Sequence, residues 1–176
     1  MGLATAPLRF AAASPTCKTL AAKGRSVKPS EIEHSLNMLD GRGSDAEYEA
    51  VKALSSLGGK FPELLLEKYR SSSKWGERAS CVYHAIKYAK ANDAAFQVGI
   101  EALNDKSKKV RYRACMLLAV AQRPEAIESL ESLVNDADSE DDARAAIDSI
   151  KNKNHNYFVD REHSGKITLN VSQISS

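Results

Sequence analysis

Aromatic residues are scarce in this chain. They make up 6% of its 176 positions, with a single tryptophan, Trp75. A core with few rings has to be filled by Leu, Ile, Val and Ala, which suits closely packed helices. Cysteine is scarce as well. Cys17, Cys81 and Cys115 form no CxxC pair and no even-numbered set, which argues against a disulfide scaffold or a thiolate zinc site and fits a reducing compartment. No window approaches the ~18 consecutive apolar residues of a bilayer span. Glycine-rich phosphate loops, GxSxG and HExxH are all missing, and His34, His84, His155 and His163 have no ligand spacing. Cys81 and Cys115 fall among small residues on helix faces, where a buried thiol is inert. No catalytic residue, cofactor or metal is therefore expected, and the chain reads as non-enzymatic.

Acid is missing from one stretch only. Residues 1–30 hold Arg9, Lys18, Lys23, Arg25 and Lys28 but no carboxylate, whereas residues 31–176 hold 20 basic and 23 acidic side chains. The net +2 charge thus belongs to an amino-terminal arm, and the remainder is mildly acidic. Rich in Ala, Ser and Thr and lacking a continuous apolar core, the arm reads as a disordered tail. The alternative is an organellar transit peptide, which shares that composition. A cytoplasmic location follows from the first reading, an organellar one from the second.

What the sequence does contain is repetition, the pattern to seek before any other. ERASCVYHAIKYA, VRYRACMLLAVA and ARAAIDSIKNK carry Arg78, Arg111 and Arg144 at a spacing of 33. Between them, FPELLLEKY, DAAFQVGIEAL and PEAIESLESLV carry Leu65, Phe96 and Ile127 at a spacing of 31. These second segments begin near Pro62, Asp93 or Pro124, residues suited to a helix start. Within each segment the period is helical. Val110, Ala114, Leu117, Leu118 and Ala121 form one broad apolar stripe, and Ile127, Leu130, Leu133 and Val134 form another. EIEHSLNML and DAEYEAVKALSSLG supply an earlier pair, ended by Gly58-Gly59.

The pattern L-N-D-x-x-x-x-V-R-x-x-A, from Leu103 to Ala114, resembles HEAT repeats of the short type related to those of phycobilisome lyases. The likeness extends over about 120 residues, strongest from Leu103 to Leu133. It implies an all-α fold: an α-solenoid of about four helical hairpins over residues 31–152, each burying its apolar face against the next. At the carboxyl end the period changes to two. Tyr157–Val159 and Ile167–Val171 read as short strands around Ser164-Gly165, a β-hairpin cap within residues 153–176. This tail is similar to the ends of small bacterial HEAT-like proteins, some of which resemble immunity proteins of toxin systems.

Stacking gives the recurrent arginines a structural part. The turn NDADSEDDAR follows the basic turn NDKSKKVRYR by one repeat, so the two turns lie side by side, and Arg78, Arg111 and Arg144 form a ladder. Arg111 has a second available partner in Asp105 of its own unit. Lys106, Lys108, Lys109 and Arg113 do not recur, and a ladder has no need of them. They are the candidate contacts for an acidic patch on a partner protein. Trp75, Tyr83 and Lys87 join them, Tyr83 and Lys87 sharing an outward face at i and i+4. Nucleic acid is disfavoured, because the acidic turn next door repels phosphates. The function expected is protein binding: a toxin-neutralising immunity protein, a scaffold or adaptor subunit, or, by analogy to the lyases, a protein handling a tetrapyrrole.

Overall fold

The computed structural model describes residues 28–154. All but the last three residues of the basic arm lie outside the described residues, as do Cys17, His155, His163 and the two expected carboxyl-terminal strands. Eight α-helices follow one another, and the described residues contain no strand. They pair as α1 (Pro29–Asn37) with α2 (Asp45–Ser55), α3 (Lys60–Ser71) with α4 (Trp75–Ala85), α5 (Asp93–Ala102) with α6 (Lys108–Ala121), and α7 (Ile127–Leu133) with α8 (Glu140–Asn152). A 3-10 turn, Ile86–Tyr88, prolongs α4, and another, Pro124–Ala126, leads into α7. The expected proline start at Pro124 is therefore a 3-10 turn ahead of a two-turn helix. The first helix begins at Pro29, two residues inside the span assigned to the arm.

The starts are made by local chemistry. Pro29 occupies the first turn of α1, where its missing donor costs nothing. The Ser44 hydroxyl accepts from the Glu47 amide at 3.2 Å, and the Asn92 side chain accepts from the Ala95 amide at 3.0 Å, each opening a helix. The ends differ. Gly58 closes the first hairpin at a φ of +60°, but Gln122 after α6 and Lys153 after α8 adopt left-handed φ values of 53° and 55° without being glycine. Lys153 Nζ reaches the Gln122 carbonyl at 3.1 Å, so these two helix ends also stack on each other.

The second helices α4, α6 and α8 pack in series, and α3 lies beside α5. One core runs through all four hairpins, with Leu54, Phe61, Leu65, Val98, Leu117, Leu118, Leu130 and Ile150 at 2% exposure or less. Each such side chain contributes about 1.5–3 kcal/mol by leaving water. Small residues bring the helices close: a Cβ on Gly99 of α5 would run into the side chains of Leu117 and Leu118 on α6.

The turns are tied by arginines. Arg78 donates bidentately to Asp105 in the next repeat, Nε to Oδ2 at 2.6 Å and Nη2 to Oδ1 at 2.9 Å. Its Nη1 also donates to the carbonyls of Ser72 and Ser73 in its own turn. One repeat on, Arg111 donates to the carbonyls of Asp105 and Lys106, and it reaches forward to Asp136 at 3.0 Å and the Ser139 hydroxyl at 2.9 Å. Two rungs differ from those expected. Arg111 takes the backbone carbonyl of Asp105, because the carboxylate is already held by Arg78. Arg144 makes no rung among the described residues, pairing with Glu140 of its own helix while 62% exposed.

Asp105 is the most committed group in this ladder, with its side chain 3% exposed. It also accepts from the Tyr69 hydroxyl at 3.1 Å and the Ser107 amide at 2.8 Å. Burial pushes its carboxyl up, but Arg78, Ser107 and Tyr69 outweigh burial and hold it below the usual carboxylate value. Burial beside that charge drives the Tyr69 phenol well above its ordinary value.

Asp105→Ala strands a largely buried guanidinium and should cost about 3 kcal/mol in urea unfolding, whereas Arg144→Ala should cost less than about 0.5 kcal/mol. Equal losses at the two sites would show that the forward rung adds nothing. Gln122→Gly relieves the left-handed strain at the end of α6, and should gain about 0.5–1 kcal/mol in the same assay.

Candidate protein-binding face

The helices α4 and α6 lie side by side in the middle of the stack and carry most of the singled-out residues. Trp75 opens α4, with Ala79 and Tyr83 following on the same i, i+4 ridge. Trp75 is 49% exposed and Tyr83 50%, while Ala79 between them is buried. On α6 the matching ridge is Lys109 and Arg113. Lys109 Nζ stands over the Trp75 ring, 4.9 Å from its centroid, and the Arg113 guanidinium over the Tyr83 ring at 5.3 Å. Arg113 Nη1 donates to the Ala79 carbonyl at 2.8 Å. The small residue at 79 thus admits the arginine between the two ridges.

These pairs are cation–π contacts, worth ~0.5–1 kcal/mol each where exposed. Arg113 is partly buried, and burial lowers its pKa despite the raising influence of Glu47. Lys87 Nζ lies 4.8 Å from the Tyr88 ring centroid and 3.2 Å from the Ser55 hydroxyl on α2. Among the described residues, Lys87, Lys109 and Arg113 have no carboxylate within ion-pair distance.

Two other singled-out lysines stand elsewhere. Lys108 pairs with Asp138 of the next turn at 3.1 Å, with both side chains exposed, so it belongs to the stacking of turns. Lys106 lies in an open groove with Tyr69, Arg70, Ser73 and Asn104. There Arg70 is taken by Glu101, Nε to Oε2 at 3.0 Å. The strip therefore consists of Trp75, Tyr83, Lys87, Lys109 and Arg113, leaving Lys106 and Lys108 outside it.

Charge is distributed to match. The second and third hairpins with their turns (residues 60–123) hold 13 basic and six acidic side chains, against three and six in the first (28–59) and three and nine in the fourth (124–154). Within the middle pair, α4 and α6 with the turns leading into and out of them (72–92 and 103–123) hold ten basic and two acidic residues. The basic surface is a band across the centre, flanked by acidic hairpins.

Behind the strip sits a group that sequence reading missed. Glu47 of α2 is buried and accepts from the amides of Gly41 at 3.2 Å and Gly43 at 2.9 Å. The Ser80 hydroxyl of α4 donates to it as well, and His84 Nε2 lies 3.5 Å away. Burial pushes Glu47 up, but Ser80, Gly43, Gly41 and His84 outweigh this and lower its pKa. The same corner joins the first hairpin to the second by direct backbone contact. Gly41 has a φ of +75°, and any Cβ there would collide with the Gly76 carbonyl at the start of α4. Ser44-x-x-Glu47 was legible as a capping box, in which the glutamate returns to the amide of the capping serine. Here it turns instead to two glycine amides further back. Tyr48 on α2, 68% exposed, was missed too.

Cys81 and Cys115 are buried, and burial pushes both thiols up to about 12. Among the described residues no cluster of three or more His, Cys, Asp or Glu side chains has metal-ligand geometry, and no helix is long and apolar enough to cross a membrane.

A scan against protein-family models matches residues 62–151, just over half of the chain, to the model described as HEAT repeats. A search of curated proteins gives no match. The matched stretch runs from α3 to α8, taking in both arginine rungs and omitting the first hairpin, where the repeat pattern is loosest. HEAT repeats are in general protein-interaction modules. With hairpins stacked in register and their turns linked by arginines 33 residues apart, the chain belongs to the HEAT-repeat family.

Proposed function

We propose that this chain is a non-enzymatic protein-binding module whose partner lays acidic side chains along the strip of α4 and α6. One observation carries the reading. Trp75 and Tyr83 stand half exposed under Lys109 and Arg113, and among the described residues neither cation has a carboxylate within ion-pair distance. Trp, Tyr and Arg are the residue types that dominate binding energy at protein interfaces. Desolvating a cation is costly unless an anion replaces the water, so unmatched cations favour an acidic partner over a neutral one.

The acidic flanking hairpins narrow the choice further. They repel an extended polyanion running along the solenoid, which counts against nucleic acid, while a short acidic protein segment fits between them. Within this reading, a toxin-neutralising immunity protein binds one partner one-to-one. A scaffold or adaptor subunit instead holds several components of an assembly. A lyase-type role with a tetrapyrrole has less support, because the strip presents charge and half-exposed rings rather than an enclosed apolar cavity.

Affinity capture with the full chain from nuclease-treated native lysate identifies the partner, and its stoichiometry separates the first two versions. Trp75→Ala and Arg113→Ala should each then weaken that partner by about tenfold or more, a loss of ~1.4 kcal/mol. Lys90→Ala, an exposed change beyond the strip, should leave affinity unaltered. Full affinity in both strip variants, with melting temperatures unchanged, would place the interface on another face.

A further inference from the structure

His84 lies between the buried Glu47 and the strip. Its side chain is 18% exposed, and Nε2 lies 3.5 Å from Glu47 Oε1. The ring meets Tyr83 edge-on, with centroids 5.1 Å apart and planes at 76°. Three charged groups act on the imidazole: Glu47 from α2, Lys87 from the 3-10 turn after α4, and Arg113 from α6. Their effects are opposed. Burial is the largest influence and disfavours the protonated ring, Glu47 favours it, and Arg113 and Lys87 disfavour it again, leaving His84 below its ordinary value.

Two of the influences that keep the proton off are therefore cations of the proposed strip itself. A carboxylate that pairs with Arg113 or Lys87 cancels their repulsion at the imidazole, while the buried Glu47 stays in place and continues to attract the proton. Resting on the strip as the docking surface, we propose that its occupation is proton-linked: an acidic partner on Arg113 and Lys87 loads a proton onto His84, and acidification tightens the complex. By linkage, a group that binds a proton more strongly in the complex than in the free protein raises affinity as pH falls toward its free value. Because burial and the two cations lower the free value, the gain grows as pH falls through the value in the complex and is complete below the free value.

The coupling can be tested without a partner. In the full chain, the His84 ring resonances, assigned by their loss in His84→Gln, are titrated by NMR. Arg113→Gln with Lys87→Gln reproduces neutralisation of the strip and should raise the His84 midpoint by about half a unit or more, while Glu47→Gln should lower it. A midpoint unmoved by the double change, in a variant that remains folded, overturns the proposal.

The second measurement uses a labelled twelve-residue peptide of alternating Asp and Leu, whose carboxylates remain ionised at pH 5.5. Its affinity for the native chain should be about threefold higher at pH 5.5 than at pH 7.5, and His84→Gln should abolish that difference. Binding of equal strength at both pH values refutes the proton link and leaves the strip reading intact. Retained binding in Trp75→Ala and Arg113→Ala overturns the strip reading and the link together. Preference for labelled oligo-dT over the peptide would point to single-stranded nucleic acid as the occupant and overturn both.

Discussion

The two-sided use of Arg78 and Arg111 is the constraint on which the stack depends. Each guanidinium closes its own turn through two backbone carbonyls and, with its remaining donors, reaches the next turn. A lysine has one point charge and cannot span both tasks; the planar fork with five donors can. The consequence is a defined distance between successive turns, and that sets how the following helices meet. A partly buried ion pair contributes little net stability, since desolvation offsets most of the attraction. Its effect is on register, because a slipped stack would bury Asp105 without its arginine.

That commitment shapes the surface. Asp105 and Asp136 are consumed at the turns, and Glu77, the acid on α4, pairs with Lys68 and Lys74. Lys109 and Arg113 are therefore matched by aromatic rings and a carbonyl, groups that attract a cation without neutralising it. The first and fourth hairpins are both acidic, so close approach of one to the other in neighbouring copies is opposed by like charge.

Much of the architecture could be read from spacing. The recurrence of Arg78, Arg111 and Arg144 and the stripe from Val110 to Ala121 report a repeat because stacking demands the same residue type at the same place. Spacing did not identify the acceptors. Asp105 stands six residues before Arg111 and looks like its partner, yet it belongs to Arg78, 27 residues earlier, because an arginine at the fourth position of a helix reaches sideways more readily than back to the side chain of its own turn. Arg144 has the right spacing but lacks a following turn among the described residues, and so falls back on Glu140. Trp75 and Tyr83 were found from helical geometry and residue type. Glu47 and its pairing with His84 were not, since the two residues are 37 positions apart and lie at the one junction where the repeat is loose.

At that junction the polarity of the rungs is reversed. Between the second and third hairpins, and again between the third and fourth, the earlier repeat supplies the cation and the later one the acid. Between the first and second, the earlier repeat supplies the acid, Glu47, and the later one supplies Ser80 and His84. The reversal has a physical cost, because a carboxylate answered by a hydroxyl, two amides and an imidazole whose protonation burial disfavours lacks the full countercharge that Arg78 gives Asp105. It also has a result that an arginine rung could not produce. An arginine stays charged at every accessible pH, whereas a histidine can gain and lose a proton. The first junction therefore places a buried negative charge and an imidazole able to take up a proton directly behind the basic strip.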